Sequence, residues 1–215
     1  MARAGLSVLD SPAVPSRLLV SGFEPFEGVP WNPSGTIAQR LGEGPPAGVE
    51  TWAVVLPTIY TEAAGQLAEL ISSFHPTHVV ALGIGAHPTQ VRVERFAVNL
   101  ADSSPRGDNL GRTPNEEPLV AGGPTGYFST LPVKDLVSHL RATGLDARAS
   151  TGAGTFVCND VFYRIMHLCA ALPSPPRAGF VHLPFVQGMP EATSASPTLE
   201  ALVEGLRAGL ERILA

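Results

Sequence analysis

Charge and sulfur are scarce in this chain. Asp, Glu, Lys and Arg together make up 15% of its 215 residues, and Cys158 and Cys169 are its two cysteines. Two thiols do not make a disulfide framework. None is needed at this length, because such a chain buries about 70% of the surface its unfolded form exposes. Fourteen Lys and Arg against nineteen Asp and Glu leave a net charge of −5, with no basic run. That argues against nucleic acid as the main partner, since phosphate contacts need clustered cations. No stretch approaches the roughly 18 uninterrupted apolar residues of a membrane span. The opening MARAGLSVLDSPAVPSR lacks the apolar centre of a signal peptide and is broken by Asp10, Pro12 and Pro15. No GxxxxGK[ST] loop occurs, and no His, Cys and Asp stand at metal-ligand spacing. LGIGAHP carries two glycines of a dinucleotide fingerprint, but Pro88 occupies the third position. The expectation is a reduced, soluble, cytoplasmic protein without metal or cofactor.

What the chain has is 44% apolar residues, 22 glycines and 21 prolines, arranged in alternating blocks. Residues 1–16 are small, Pro-bearing and aperiodic, and predict a flexible tail ahead of one domain over 17–215. RLLVSGF (17–23), TWAVVLP (51–57), THVVALGIG (77–85) and AGFVHLPF (178–185) read as buried strands, and DARAS (146–150) as a weak one. Between them lie helical patterns. Asn32 is placed as N-cap and Pro33 as N1 of the first. Ala63, Ala64, Leu67, Leu70, Ile71 and Phe74 recur at helical spacing until His75-Pro76. Pro132 opens a third helix that Gly144 closes, Thr155 to Ala171 forms a fourth, and Leu199 to Leu214 the last. VRVERFAVN (91–99) alternates, as one extended segment with a covered face would. Residues 100–126 show no periodicity, and a loop that long inside a compact domain is usually functional or mobile. Strands alternating with helices imply a single-domain α/β/α sandwich around a mostly parallel sheet.

In such a sheet, ligands gather at the carboxyl ends of the strands, and three reactive side chains fall near such ends. Cys158 sits in the first turn of a helix, just after a glycine turn. Unpaired N–H groups and the helix dipole favour a thiolate there; the competing role is a small buried hydrophobe. Cys169, eleven residues on among Leu168 and Ala170, reads as core filler. His182 ends an apolar strand, where it is either a satisfied core residue or a proton carrier. His167 lies nine residues beyond Cys158 on one helix, about 13 Å along the axis, too far to be its base. Glu94 is either a surface carboxylate or the acceptor that fixes an imidazole's tautomer. Spacing leaves open whether Cys158, His182 and Glu94 meet.

Four segments, SGFEPFEGVPWNPS (21–34), VERFAVNLADSSPRGDN (93–109), AGTFVCNDVFY (153–163) and GFVHLPF (179–185), resemble the signature blocks of the pyroglutamyl peptidases, also called pyrrolidone-carboxylate peptidases. They occur in family order, and the resemblance runs from about residue 17 to the C-terminus. It implies an α/β/α fold, no cofactor, and a cytoplasmic cysteine peptidase that removes an N-terminal pyroglutamyl residue from peptides, working as a homo-oligomer, a tetramer. By residue, it implies Cys158 as nucleophile, His182 as its histidine and Glu94 as the catalytic glutamate. It further implies a lactam pocket walled by Phe23, Phe26, Thr58, Phe156 and Val157, with Ile84 contributing through its backbone. Two departures stand out. Gly83-Ile84-Gly85-Ala86-His87 replaces the Gly-Gln-Ala-Gly-Gly of many bacterial members, with His87 and Pro88 at the rim. The family's arginine near the reacting carbonyl has no aligned counterpart: Arg106, in a stretch one residue longer, either fills that place from a shifted position or the role is lost. Two further readings compete with the peptidase. One is a catalytically impaired homologue that keeps a pyroglutamyl-binding pocket. The other is a phosphate-using enzyme of nucleoside phosphorylase type, for which no phosphate cradle is evident.

Overall fold

A computed structural model describes residues 15–26, 28 and 30–214. The first fourteen residues of the expected tail therefore lie outside the described residues. Six strands form one sheet: β1 (Arg17–Phe23), β2 (Glu50–Leu56), β3 (His78–Ile84), β4 (Val91–Glu94), β7 (Ala147–Ser150) and β8 (Arg177–Leu183), in the order β2-β1-β3-β8-β4-β7. Two short strands, β5 (Phe96–Val98) and β6 (Gly126–Phe128), form a separate antiparallel pair. The helices are α1 (Pro33–Glu43), α2 (Glu62–Phe74), α3 (Val133–Ala142), α4 (Val157–Ala171) and α5 (Leu199–Leu214).

The apolar runs of β1, β3 and β8 are buried on both faces, and period two sorts them; the run of β2, expected to be buried too, lies at the sheet edge and is only partly covered. Leu18, Val20, Val80, Leu82, Val91, Val93, Val181 and Leu183 pack with α1, α3 and α5. Leu19, Phe23, Val79, Ala81, Ala178 and Phe180 pack with α2 and α4. A sandwich with a mostly parallel sheet is the result. Among the described residues no helix is long and apolar enough to cross a membrane.

Local chemistry sets the element ends much as the sequence implies. Asn32 caps α1 by accepting from Ser34 N at 3.1 Å, and Pro33 opens the helix. Gly22 lets β1 and α1 approach closely, because a Cβ there would come within 2.5 Å of the Gly35 nitrogen. His75 ends α2 in the left-handed conformation.

Two expectations need correction. The alternating segment 91–99 is not one strand. It breaks at Arg95, so that β4 joins the main sheet and β5 pairs with β6. The fourth helix begins at Val157 rather than Thr155, because the Thr155 hydroxyl donates to Asp102 O at 2.6 Å and ties that residue to the long loop instead. Within 100–126 the chain makes one isolated bridge, Ala101 to Glu117, and its last residue begins β6.

Candidate active site

The four parallel strands β2, β1, β3 and β8 end on one edge of the sheet, and a cleft of about 340 Å³ opens there. Its lining includes Phe23 from the end of β1, Thr58 just past β2, Ile84 and Gly85 at the end of β3, and His182 near the end of β8. The turn ahead of α4 adds Phe156, Val157 and Cys158, and the loop after β1 adds Phe26. Eight of the nine residues singled out in the sequence thus share one cleft. The ninth, Glu94, is fully buried behind His182.

Strand direction explains that arrangement. β4 runs antiparallel to β8, with Arg92 opposite His182 and Glu94 opposite Phe180. Its last residue is therefore carried back beneath the imidazole, away from the mouth. Glu94 Oε1 lies 2.8 Å from His182 Nδ1, and both side chains are shielded from water. An ionised carboxylate only accepts, so Nδ1 carries the hydrogen and Nε2 is left for the cleft. Glu94 Oε2 is buried without a hydrogen-bond partner. Phe180 packs against the His182 ring at 4.9 Å between centroids and against Phe23 at 6.5 Å.

Gly154, at φ +75°, supplies the left-handed turn that leads into α4. Such a conformation is open to glycine at little cost. Cys158 then stands in the first helical turn, with its Sγ against β3: a Cβ on Gly83 would fall 2.9 Å from that sulfur. The electrostatics differ from the expected stabilised thiolate. Burial pushes the Cys158 thiol up to about 12, the Glu94 charge adds to the rise, and Arg106 opposes it. Desolvation of the charged form is the largest of these causes. Cys169 is buried among the apolar residues of α4. His167 bonds the Tyr127 hydroxyl at 2.8 Å.

The apolar wall is aromatic. Phe26 and Phe156 lie 6.3 Å apart, and Tyr60 meets Phe156 edge-on at 5.6 Å. Thr58 is held by its hydroxyl donating to Glu24 O at 3.2 Å. Arg106 reaches the cleft despite its shifted position, its guanidinium 4.7 Å above Phe26 and 5.0 Å above Phe156. His87 turns away into the rim, accepting from the Thr89 and Gln90 N–H groups. The sequence reading missed Arg92, which also lines the cleft. The signal was present, since period two puts Arg92 on the same face as Glu94. Among the described residues no group of three or more His, Cys, Asp and Glu side chains could hold a metal ion.

This geometry suits acyl transfer by a thiol, and comparison with known proteins shows which family the chain resembles. A family model described as pyroglutamyl peptidase matches residues 16–215. The pyrrolidone-carboxylate peptidase 1 of Ralstonia nicotianae is 40% identical over 199 residues, covering 92% of each chain. That of Streptomyces coelicolor is 39% identical over 194 residues, covering 90% of this chain and 89% of its own. The crystal structure of Bacillus amyloliquefaciens pyroglutamyl peptidase I superposes with a TM-score of 0.86 at 29% identity, over 93% of this chain and 97% of that one.

Proposed function

Because the chain belongs to the pyroglutamyl peptidase family, we propose that Cys158, His182 and Glu94 carry out its hydrolysis of an N-terminal pyroglutamyl residue from peptides. One observation carries the assignment of roles: a buried Glu94–His182 pair opens onto the same cleft as Cys158. With the thiol protonated at rest, His182 Nε2 takes its proton as Sγ adds to the pyroglutamyl carbonyl. Glu94 stabilises the imidazolium so formed and holds its orientation. The N–H groups of Asn159 and Asp160 already bond Phe156 O. Those of Val157 and Cys158, at the positive end of α4, are left to receive the oxyanion. Collapse of the tetrahedral adduct breaks the C–N bond, and the leaving amine takes the proton from His182. The thioester on Cys158 is then hydrolysed by a water that His182 deprotonates, releasing pyroglutamate and restoring the thiol.

Phe23, Phe26 and Phe156 fit the flat, uncharged lactam ring, with Thr58 and the Ile84 backbone as its few polar neighbours. An unmodified N-terminus is refused by the same lining. Its ammonium would lose water without gaining a partner, and Arg106, above Phe26 and Phe156, would repel it.

We also infer a reducing, cytoplasmic setting, in keeping with a nucleophile that is a free thiol. Assembly as a homotetramer rests on the family resemblance, and exposed Trp52 and Phe128 are apolar surface for it. Light scattering should return about four times the 22.5 kDa of one chain; a stable monomer would refute it.

The activity test is direct. The reduced protein is incubated with a pyroglutamyl fluorogenic amide and with the corresponding prolyl amide. Release from the first alone, stopped by iodoacetamide, supports the reading. Binding of the pyroglutamyl amide without release would instead mark an impaired homologue.

A further inference from the structure

The mechanism leaves one charged group of the cleft unassigned. Arg92 lies directly opposite His182 in the antiparallel β4–β8 register, so the two side chains rise from the same face of the sheet. It is half-buried, it lines the cleft, and a Cβ placed on Gly85 would strike its guanidinium. Its Nε is buried with no hydrogen-bond partner. Among the described residues it belongs to none of the ion pairs. The nearest carboxylate along its own strand, Glu94, gives Oε1 to His182 instead.

Arg106 is the other charged side chain in the cleft lining, where the described residues include no Asp or Glu. A chain with a net charge of −5 therefore presents a cationic site. A partly desolvated guanidinium without a partner is costly, and a carboxylate that it can grip through two N–H groups offsets that cost. The lactam ring and the scissile carbonyl carry no charge, so neither is the intended anion. Position along the substrate follows from the chemistry. His182 hands its proton to the leaving amine, so the residue after pyroglutamate lies on the side of His182, and Arg92 is the cross-strand neighbour of His182.

Resting on the peptidase reading above, we propose that Arg92 makes this enzyme select pyroglutamyl peptides whose second residue is acidic.

The test compares kcat/KM for pyroglutamyl-Glu, pyroglutamyl-Gln and pyroglutamyl-Lys, each as the C-terminal amide so that the second side chain is the one charge that differs. The Glu peptide should exceed the Gln peptide by about tenfold, equivalent to about 1.4 kcal/mol, and the Lys peptide should fall below both. In Arg92→Gln the Glu-to-Gln ratio should drop to about one, whatever the common rate. Arg92→Lys, which keeps the charge but not the fork, should retain part of the ratio. Raising the salt from about 50 mM to about 500 mM should narrow the wild-type ratio, as screening requires. Equal rates for Glu and Gln in the wild type would overturn the proposal and leave the peptidase reading intact. So would loss of the preference in Arg106→Gln but not in Arg92→Gln. Cleavage of none of the three amides would overturn both readings. Equal wild-type rates refute the idea without any variant, and loss of the preference in Arg106→Gln refutes it even if an Arg92 variant misfolds.

Discussion

The Cys158 thiol shows how two opposing local effects are settled by magnitude. The Arg106 guanidinium lowers the thiol's pKa, and burial raises it; burial is the larger effect and carries it to about 12. The resting nucleophile is then a thiol, and attack waits on His182. Iodoacetamide alkylation of the free enzyme should be slow at neutral pH and keep rising through pH 9, with no plateau near 7. An early plateau would mean a preformed thiolate–imidazolium pair. The same shift links to stability with a definite sign. A thiol whose folded value exceeds its unfolded value of about 8.5 contributes stability below that pH, and the contribution is lost between about 8.5 and about 12. Substitution should separate the two cysteines. Cys158→Ser should cut kcat by at least about a thousandfold. Cys169→Ser, in the core, should stay within about threefold at 25 °C, and the reverse pattern would refute the assignment. Gly83→Ala tests the crowding beside the sulfur. Its methyl would fall 2.9 Å from Sγ and 2.8 Å from Phe180 Cζ, so kcat should fall at least about tenfold while the far-ultraviolet spectrum stays native.

At the scale of elements, α4 organises the site and the long loop together. Asn159, fully buried, accepts from Val98 N at 3.0 Å and donates to Val98 O and Leu100 O at 2.9 and 3.0 Å. Arg164 bonds Asp160 and Leu119 O, and the Tyr163 hydroxyl bonds Pro124 O. The helix that carries Cys158 thus pins β5 and much of 100–126 through side chains. Asn159→Ala would leave buried backbone groups unpaired, which costs about 2–4 kcal/mol in all. The denaturant midpoint should fall accordingly, and kcat with it, because the chain is released four residues after Glu94. Little of this pinning was legible in the sequence, since an aperiodic loop does not say which helix its carbonyls will meet. The helices and the long strands were legible, because apolar spacing of 3.6 and runs of β-branched residues mark them directly. The direction of β4 was half-legible. Only residues 85–90 separate β3 from β4, too few for the dozen or more that a parallel crossover needs. Period two places Arg92 on the face of Glu94, but an arginine in an alternating segment usually faces water, so its pattern alone does not mark it as a cleft residue.

At the scale of the molecule, two cores share one sheet, and they differ in what they do for the site. Leu206 of α5 is fully buried in the core with α1 and α3. Phe162 of α4 is buried in the other, its ring 6.1 Å from Phe180, which in turn packs on His182. Removing either side chain opens a cavity, at about 2–5 kcal/mol for a leucine and about 3–5 for a phenylalanine. A shared sheet makes the two faces unfold together, so each variant should show one transition with an unchanged denaturant slope and a lower midpoint. Activity should separate them. Leu206→Ala should keep kcat within about twofold at 25 °C, since its cavity lies across the sheet from the cleft. Phe162→Ala should lose more than about tenfold, because Phe180 would relax into the void and take the imidazole with it. Equal losses of kcat in the two variants would mean that the sheet transmits packing defects from either face, and that the aromatic stack beneath His182 has no special part in holding it.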